Sequence, residues 1–227
     1  MTISIPLPIC CTSPTETQLE TQIHALAEKR VQGTLIKSRL LFLHLKHGIP
    51  TLKKVLQNLP ESDRALLVKT VYVGEWYSLA TLIRLDMAIQ KEIGAMHPTL
   101  FEELGAFSAD LNLGGTYEPL MRKDVKGLLQ LTAVMSKTYQ TFGEADYIPE
   151  ATDSSGKQAA TLRINYDEPP PSHYCQSGLG YFRQAVQLCG GKHVTARITA
   201  CRQQGDPACS FRIEWDVSAE ISVRPEA

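Results

Sequence analysis

Close to Gly143 the hydrophobic repeat of this chain changes from 3.6 residues to 2. That change divides the sequence into a helical half and a sheet-bearing half. Just before it, Val125, Leu128, Leu129, Thr132, Met135, Tyr139 and Phe142 form one stripe, which predicts a helix from Asp124 to Phe142 ended by Gly143. Beyond it, Leu162, Ile164 and Tyr166 alternate within Ala160 to Asp167, and Glu144 to Thr152 reads as a preceding strand. Asp153 to Lys157 carries turn chemistry between them. After the stiff connector Pro169 to Pro171, Ser172 can cap a helix from His173 to Cys189, whose inner stripe is Cys175, Leu179, Phe182, Val186 and Cys189. Gly190 and Gly191 stop it. Val194, Ala196, Ile198 and Ala200 then alternate, as do Cys209, Phe211, Ile213 and Trp215, with Gly205-Asp206-Pro207 as the turn.

The first half carries mostly helical signals. Ser13-Pro14-Thr15-Glu16 is a capping box ahead of Leu19, Ile23, Leu26 and Ala27, and predicts a helix to about Arg30. Val31 to Ile36 is short and partly β-like. An apolar run from Arg39 to His47 stops at Gly48, and Pro50 and Pro60 open two short helices. Leu79, Leu82, Ile83, Leu85, Ile89 and Ile93 predict an amphipathic helix from Trp76 to Ile93, and Pro98 to Leu113 continues the theme. The expected fold class is α+β: a helical N-terminal half packed on a C-terminal antiparallel sheet, with strand-strand-helix-strand-strand order. Residues 1–12 and 218–227 read as tails around one domain spanning 13–217.

The chain has 227 residues and 43% hydrophobic content, enough for one sizeable core. Its net charge is −1, and Lys46, Lys53, Lys54, Arg122, Lys123 and Lys126 form only short clusters, so nucleic acid is not an expected partner. The N-terminus lacks a basic region, Pro6 and Pro8 break its apolar run, and no segment is long enough to span a bilayer. A cytoplasmic chain with six cysteines, mostly reduced, is the expectation. Cys10 and Cys11 fall in the N-terminal tail.

Three cysteines draw attention. Cys201 and Cys209 flank the hairpin loop, and Cys175 lies in the first turn of the preceding helix, where the helix dipole favours a thiolate. Two readings stand side by side. The thiols are ligands of a structural metal site, for which zinc is the natural candidate, or they are small buried apolar groups. Cys189 reads as core.

At these residues the chain resembles the 4-vinyl-reductase-like domain superfamily. The matching stretch runs Cys175, Gly178-Leu179-Gly180-Tyr181, Gly190-Gly191, Cys201, Gly205-Asp206, then Cys209 through Trp215. A looser match from Gly33-Thr34 through Trp76-Tyr77 and Glu103-Leu104-Gly105 to Gly143 is similar to a group of that superfamily abundant in myxobacteria. The resemblance implies a sensory or docking fold, shared with aromatic-responsive activators and related to TRAPP small subunits and haem nitric oxide sensors. It also implies a structural zinc on Cys175, Cys201 and Cys209. The glutamate of that ligand set belongs at Ile198, which cannot ligate, so His173, His193, water or a distant carboxylate would complete the shell. Haem is not expected, because the Tyr-x-Ser-x-Arg signature of the haem sensors does not occur and each of the six histidines reads as an ordinary surface or core residue.

Turnover is not expected either. No glycine-rich phosphate loop follows a strand, and Asp86, Glu102 and Glu103 read as carboxylates on a solvated helix face. Trp76, Tyr77, Leu129, Met135 and Tyr139 are the candidates to line a pocket for an apolar ligand. The chain is thus expected to be a stand-alone sensory or regulatory domain binding a small apolar molecule and signalling through a homodimer or a protein partner. The alternative is a TRAPP-type dimeric interaction scaffold with no small ligand.

Overall fold

The computed structural model describes residues 23–114, 124–152 and 156–216. Both expected tails, most of the helix expected from Ser13, the turn at Asp153 to Ser155, Gly115, Arg122 and Lys123 lie outside the described residues; residues 23–25 are helical.

Strand β1 (Arg30–Gln32) pairs antiparallel with β2 (Trp76–Ser78), Val31 opposite Tyr77. Helix α1 (Gly33–Phe42) leaves β1 directly and runs into a π-helical turn, Leu43–His47. Gly48, at φ 82°, adopts a positive-φ conformation that glycine takes without strain and that ends this turn, and α2 (Gly48–Gln57) and α3 (Glu61–Leu67) follow. Helix α4 (Leu79–Ile93) begins three residues later than its periodicity suggests. Trp76 to Ser78 is captured by β1 instead, and Ser78 caps α4 by accepting from the Ala80 N–H. Helix α5 (Leu100–Leu113) completes this half.

Helix α6 (Val125–Val134) starts at Asp124, whose carboxylate accepts from the Lys126 and Gly127 N–H groups. The single helix expected to reach Phe142 is broken. Met135 leaves helical geometry at ψ 0°, α7 (Ser136–Tyr139) is one turn, and the chain enters β3 (Gly143–Pro149). The Ser136 hydroxyl accepts from the Ala145 N–H, tying the break to that strand.

The remaining elements are β4 (Gln158–Tyr166), α8 (Ser172–Leu188), β5 (Lys192–Ala200) and β6 (Cys209–Asp216). The four-stranded sheet is antiparallel throughout, in the order β3-β4-β6-β5. This is the expected α+β architecture. Ala160, Leu162, Ile164 and Tyr166 share one buried face with Cys209, Phe211, Ile213 and Trp215, while Arg163 and Asn165 point the other way. Leu162 stands opposite Phe211 and Ile164 opposite Cys209. A one-residue slip would turn both rows out of the core.

One core joins the helical half to the sheet. Its closest joint is the crossing of α5 and α8. A Cβ on Gly105 would overlap the Ser177 carbonyl, and one on Gly180 would overlap the Glu102 carbonyl. Among the described residues no helix is long and apolar enough to cross a membrane.

Candidate ligand cavity and thiol cluster

The hairpin loop brings the three expected cysteines together. Gly205, at φ 91°, turns the loop through the left-handed region, and the Asp206 carboxylate accepts from the Cys201 N–H at 2.7 Å. Cys201 leaves β5, Cys209 opens β6, and Cys175 comes down from the first turn of α8. All three are buried, and their sulfurs lie within 4.8 Å of one another. Cys175 Sγ donates to Cys209 Sγ at 3.6 Å, and the Arg202 N–H donates to the same sulfur at 3.4 Å. Donation from Cys175 is the main cause that holds the Cys209 thiol below its ordinary value. Hydrogen bonding to Cys201 and Cys209, reinforced by burial, pushes the Cys175 thiol well up.

Among the described residues no histidine or carboxylate joins the three sulfurs at that spacing. Ile198 lies opposite Phe211 on the sheet, His193 pairs with Asp216 at 2.8 Å, and His173 faces Asp86. The zinc expectation is corrected accordingly: the four-donor shell that structural zinc prefers is not assembled here.

A cavity of about 200 Å³ lies between α1, α5, α6, α7, α8 and the buried face of the sheet. Leu128, Leu131, Leu162, Ile164, Phe182 and Phe211 give it an apolar wall. Polar groups sit at intervals. Thr34 Oγ1 donates to Asn112 Oδ1 at 3.0 Å, and Tyr174 donates its hydroxyl proton to Gln140 Oε1 at 2.8 Å. Burial pushes the Tyr174 hydroxyl well up, so it remains a donor at neutral pH.

Of the five residues expected to line a pocket, Met135 and Tyr139 are in this wall. Trp76, Tyr77 and Leu129 are not. Trp76 and Tyr77 belong to the two-stranded sheet, where Trp76 is exposed and Tyr77 packs on Gly33, while Leu129 is fully buried in the core.

Sequence reasoning missed Arg39, the one charged side chain among the described residues that line the cavity. Arg39 is 3% exposed. Its Nε donates to Asp86 Oδ1 at 3.2 Å and its Nη2 to Ser177 Oγ at 3.0 Å. Asp86 is fully buried, which corrects its reading as a solvated carboxylate; it lies on the core-facing stripe of α4 beside Leu82, Ile83 and Ile89. Glu102 pairs with Arg183 at 2.9 Å, and Glu103 is exposed and accepts from Thr99. The Asp86 Oδ2 atom is sealed from solvent with no hydrogen-bond partner, as is His173 Nε2, 3.9 Å away. The His173 ring lies tilted against Phe101 with centroids 4.9 Å apart, and burial holds its imidazole below the ordinary value despite the carboxylate. The available signal was a charged residue inside an apolar stripe, one on α1 and one on α4.

No family model matches this sequence, and no curated protein does. Solved structures do. An H-NOX protein from S. oneidensis in the Fe(II)NO state superposes with a TM-score of 0.58 at 12% identity, covering 82% of this chain and 99% of that one. The Fe(II) unliganded H-NOX protein from K. algicida gives 0.59 at 12% identity, covering 84% and 99%. An oxygen-binding H-NOX domain related to soluble guanylate cyclases gives 0.58 at 14% identity, covering 81% and 94%.

At these identities the likeness is one of fold. It agrees with the expected relation to haem nitric oxide sensors. It also corrects the expectation that set haem aside, because the neighbours of this fold are H-NOX proteins in Fe(II) and Fe(II)NO states, one of them oxygen-binding. The local donors bear on how iron would be held. No histidine is among the described residues lining the cavity; Met135, Tyr139, Tyr166, Tyr174 and Tyr181 are the side chains there of a kind that ligates haem iron. The cavity as shaped therefore does not match a histidine-held porphyrin.

Proposed function

We propose that this chain is a small-molecule sensory domain, a binding module without turnover, whose ligand sits in the cavity between the helical half and the sheet. The observation that carries the reading is that cavity. It lies between five helices and the sheet, is mainly apolar and is set with a few polar groups, which is the usual make-up of a ligand site. Its size, about 200 Å³, slightly exceeds that of the roughly 150 Å³ apolar cavity known to take benzene, so it suits one ring with a substituent. The kinship to 4-vinyl-reductase-like sensors drawn from the thiol pattern belongs to this reading, as does output through a second copy or a protein partner.

The test is a thermal-shift screen of single-ring compounds on the purified chain, repeated on Leu162→Trp, which places an indole in the cavity. Hits stabilise the parent and lose their effect in the variant. Equal shifts in both proteins would move the ligand elsewhere and end the proposal.

The likeness to H-NOX domains favours a second reading, in which the domain takes haem and responds to a gas. A haemin titration followed by absorbance separates the two. A sharp Soret band at one equivalent, lost on replacing Tyr139 and Met135, favours the second.

A further inference from the structure

We infer that the cavity ligand carries an anionic head, a carboxylate on an apolar ring, and that Arg39 binds this head while His173 takes up the compensating proton. The inference rests on the cavity being the ligand site and adds the chemical class of the ligand and a linkage to pH.

Charge is the first argument. Arg39 is the one charged side chain in the described lining, and its carboxylate partner Asp86 stands behind it, outside the lining. The wall therefore presents a cation to the interior. The hydrogen bonds to Asp86 and Ser177 use two of the five guanidinium donors, in a planar group suited to carboxylates. Ser177 stands beside it, and Thr34 and Ser38 line the same cavity with hydroxyls that donate to Asn112 Oδ1 and the Leu35 carbonyl.

The two orphaned atoms are the second, independent argument. Asp86 Oδ2 and His173 Nε2 are both sealed from water, lack partners and stand 3.9 Å apart. A buried acceptor and a buried nitrogen left open in this way are unusual. One added proton turns the two into an ion pair at that separation, since an imidazolium then faces the carboxylate. The groups facing His173 are Asp86 from α4 and Arg39 from α1, with the uncharged Phe101 ring from α5. The Arg39 and Asp86 charges cancel each other, and burial keeps His173 neutral. An anion arriving at Arg39 adds one buried negative charge, and protonating His173 restores neutrality. A neutral ligand asks for neither feature.

The experiment is calorimetric titration of the native chain with benzoate and with benzyl alcohol, near pH 7, in buffers of different ionisation enthalpy. Benzoate is expected to bind about tenfold tighter or more, through the charge-assisted contact. Its enthalpy should depend on the buffer with a slope near one proton taken up, and that of benzyl alcohol should not. His173→Gln should keep benzoate binding and lose the proton uptake. Arg39→Lys should reduce the preference for benzoate, and its melting curve checks folding.

Benzyl alcohol binding as well as benzoate, or benzoate binding with no buffer dependence, overturns the inference and leaves the cavity reading standing. Failure of both probes to bind, together with the absence of any hit in the thermal-shift screen that Leu162→Trp abolishes, overturns both.

Discussion

Gly105 on α5 lies against the carbonyl oxygen of Ser177 on α8, with no room between them for a methyl group. Ser177 is the residue whose hydroxyl accepts from Arg39, so this close approach also sets one end of the polar edge of the cavity. Gly180 repeats the approach against Glu102 one turn along. The obstacles are backbone atoms, which cannot swing aside as a side-chain end can. Gly105→Ala and Gly180→Ala are each expected to cost about 1–3 kcal/mol through overpacking. Gly178→Ala, whose new methyl meets ring atoms at ordinary contact distances of 3.6 and 3.7 Å, should be close to neutral. Urea denaturation of the three variants checks the order; equal effects would refute the tight crossing.

Asp86 neutralises a guanidinium that has almost no access to water. Asp86→Ala leaves Arg39 buried and uncompensated, for which about 3–5 kcal/mol is the expected loss. Arg39→Met combined with Asp86→Leu removes both charges and should recover most of that loss. A double-mutant cycle on thermal stability is the measurement, and strict additivity would show that the two charges are not coupled.

The His173 imidazole is held below its ordinary value of 6.5, chiefly by burial. The unfolded chain then binds the proton more readily than the folded one, so stability rises with pH in this window. His173 contributes fully above the unfolded value of about 6.5, and its contribution is lost as pH falls from there through the folded value. Denaturation curves between about pH 7.5 and pH 5 should show this fall, and His173→Asn should flatten it. An unchanged slope in the variant would assign the fall to other groups.

Cys175 donates to Cys209, and this contact is the main reason that Cys209 is the more acidic thiol of that pair. In Cys175→Ala the Cys209 thiol should therefore titrate at higher pH than in the parent. The thiolate absorbance followed against pH, with the remaining cysteines replaced by serine one at a time to assign it, reads the shift. A downward shift would mean that Cys175 does not act as the donor.

Legibility in the sequence followed the range of the forces involved. The switch from a repeat of 3.6 to one of 2 marked the boundary between helices and sheet, because each stripe reports which face its own element buries. Gathering of Cys175, Cys201 and Cys209 was legible for a related reason: a hairpin and the first turn of the adjoining helix leave the three sulfurs few other places to go. Where a local pattern competed with a distant partner, it misled. The stripe starting at Trp76 continued that of α4, yet β1 took those residues as a strand. The stripe running to Phe142 passed through Met135, where a hydrogen bond from β3 to Ser136 accompanies the break.

Arg39 and Asp86 mark the limit more sharply. They are 47 positions apart, and each taken alone is a polar residue in an apolar run, which reads as a solvated edge. What determines their role is that α1 and α4 meet and turn both inward, and only the packed chain contains that meeting. The amino-acid order thus determined which segments coil, which extend and which faces are greasy, through sterics and water acting within a few residues. The three-dimensional arrangement decided where a cation stands beside a hollow, because charge pairing and cavity shape depend on elements distant along the chain.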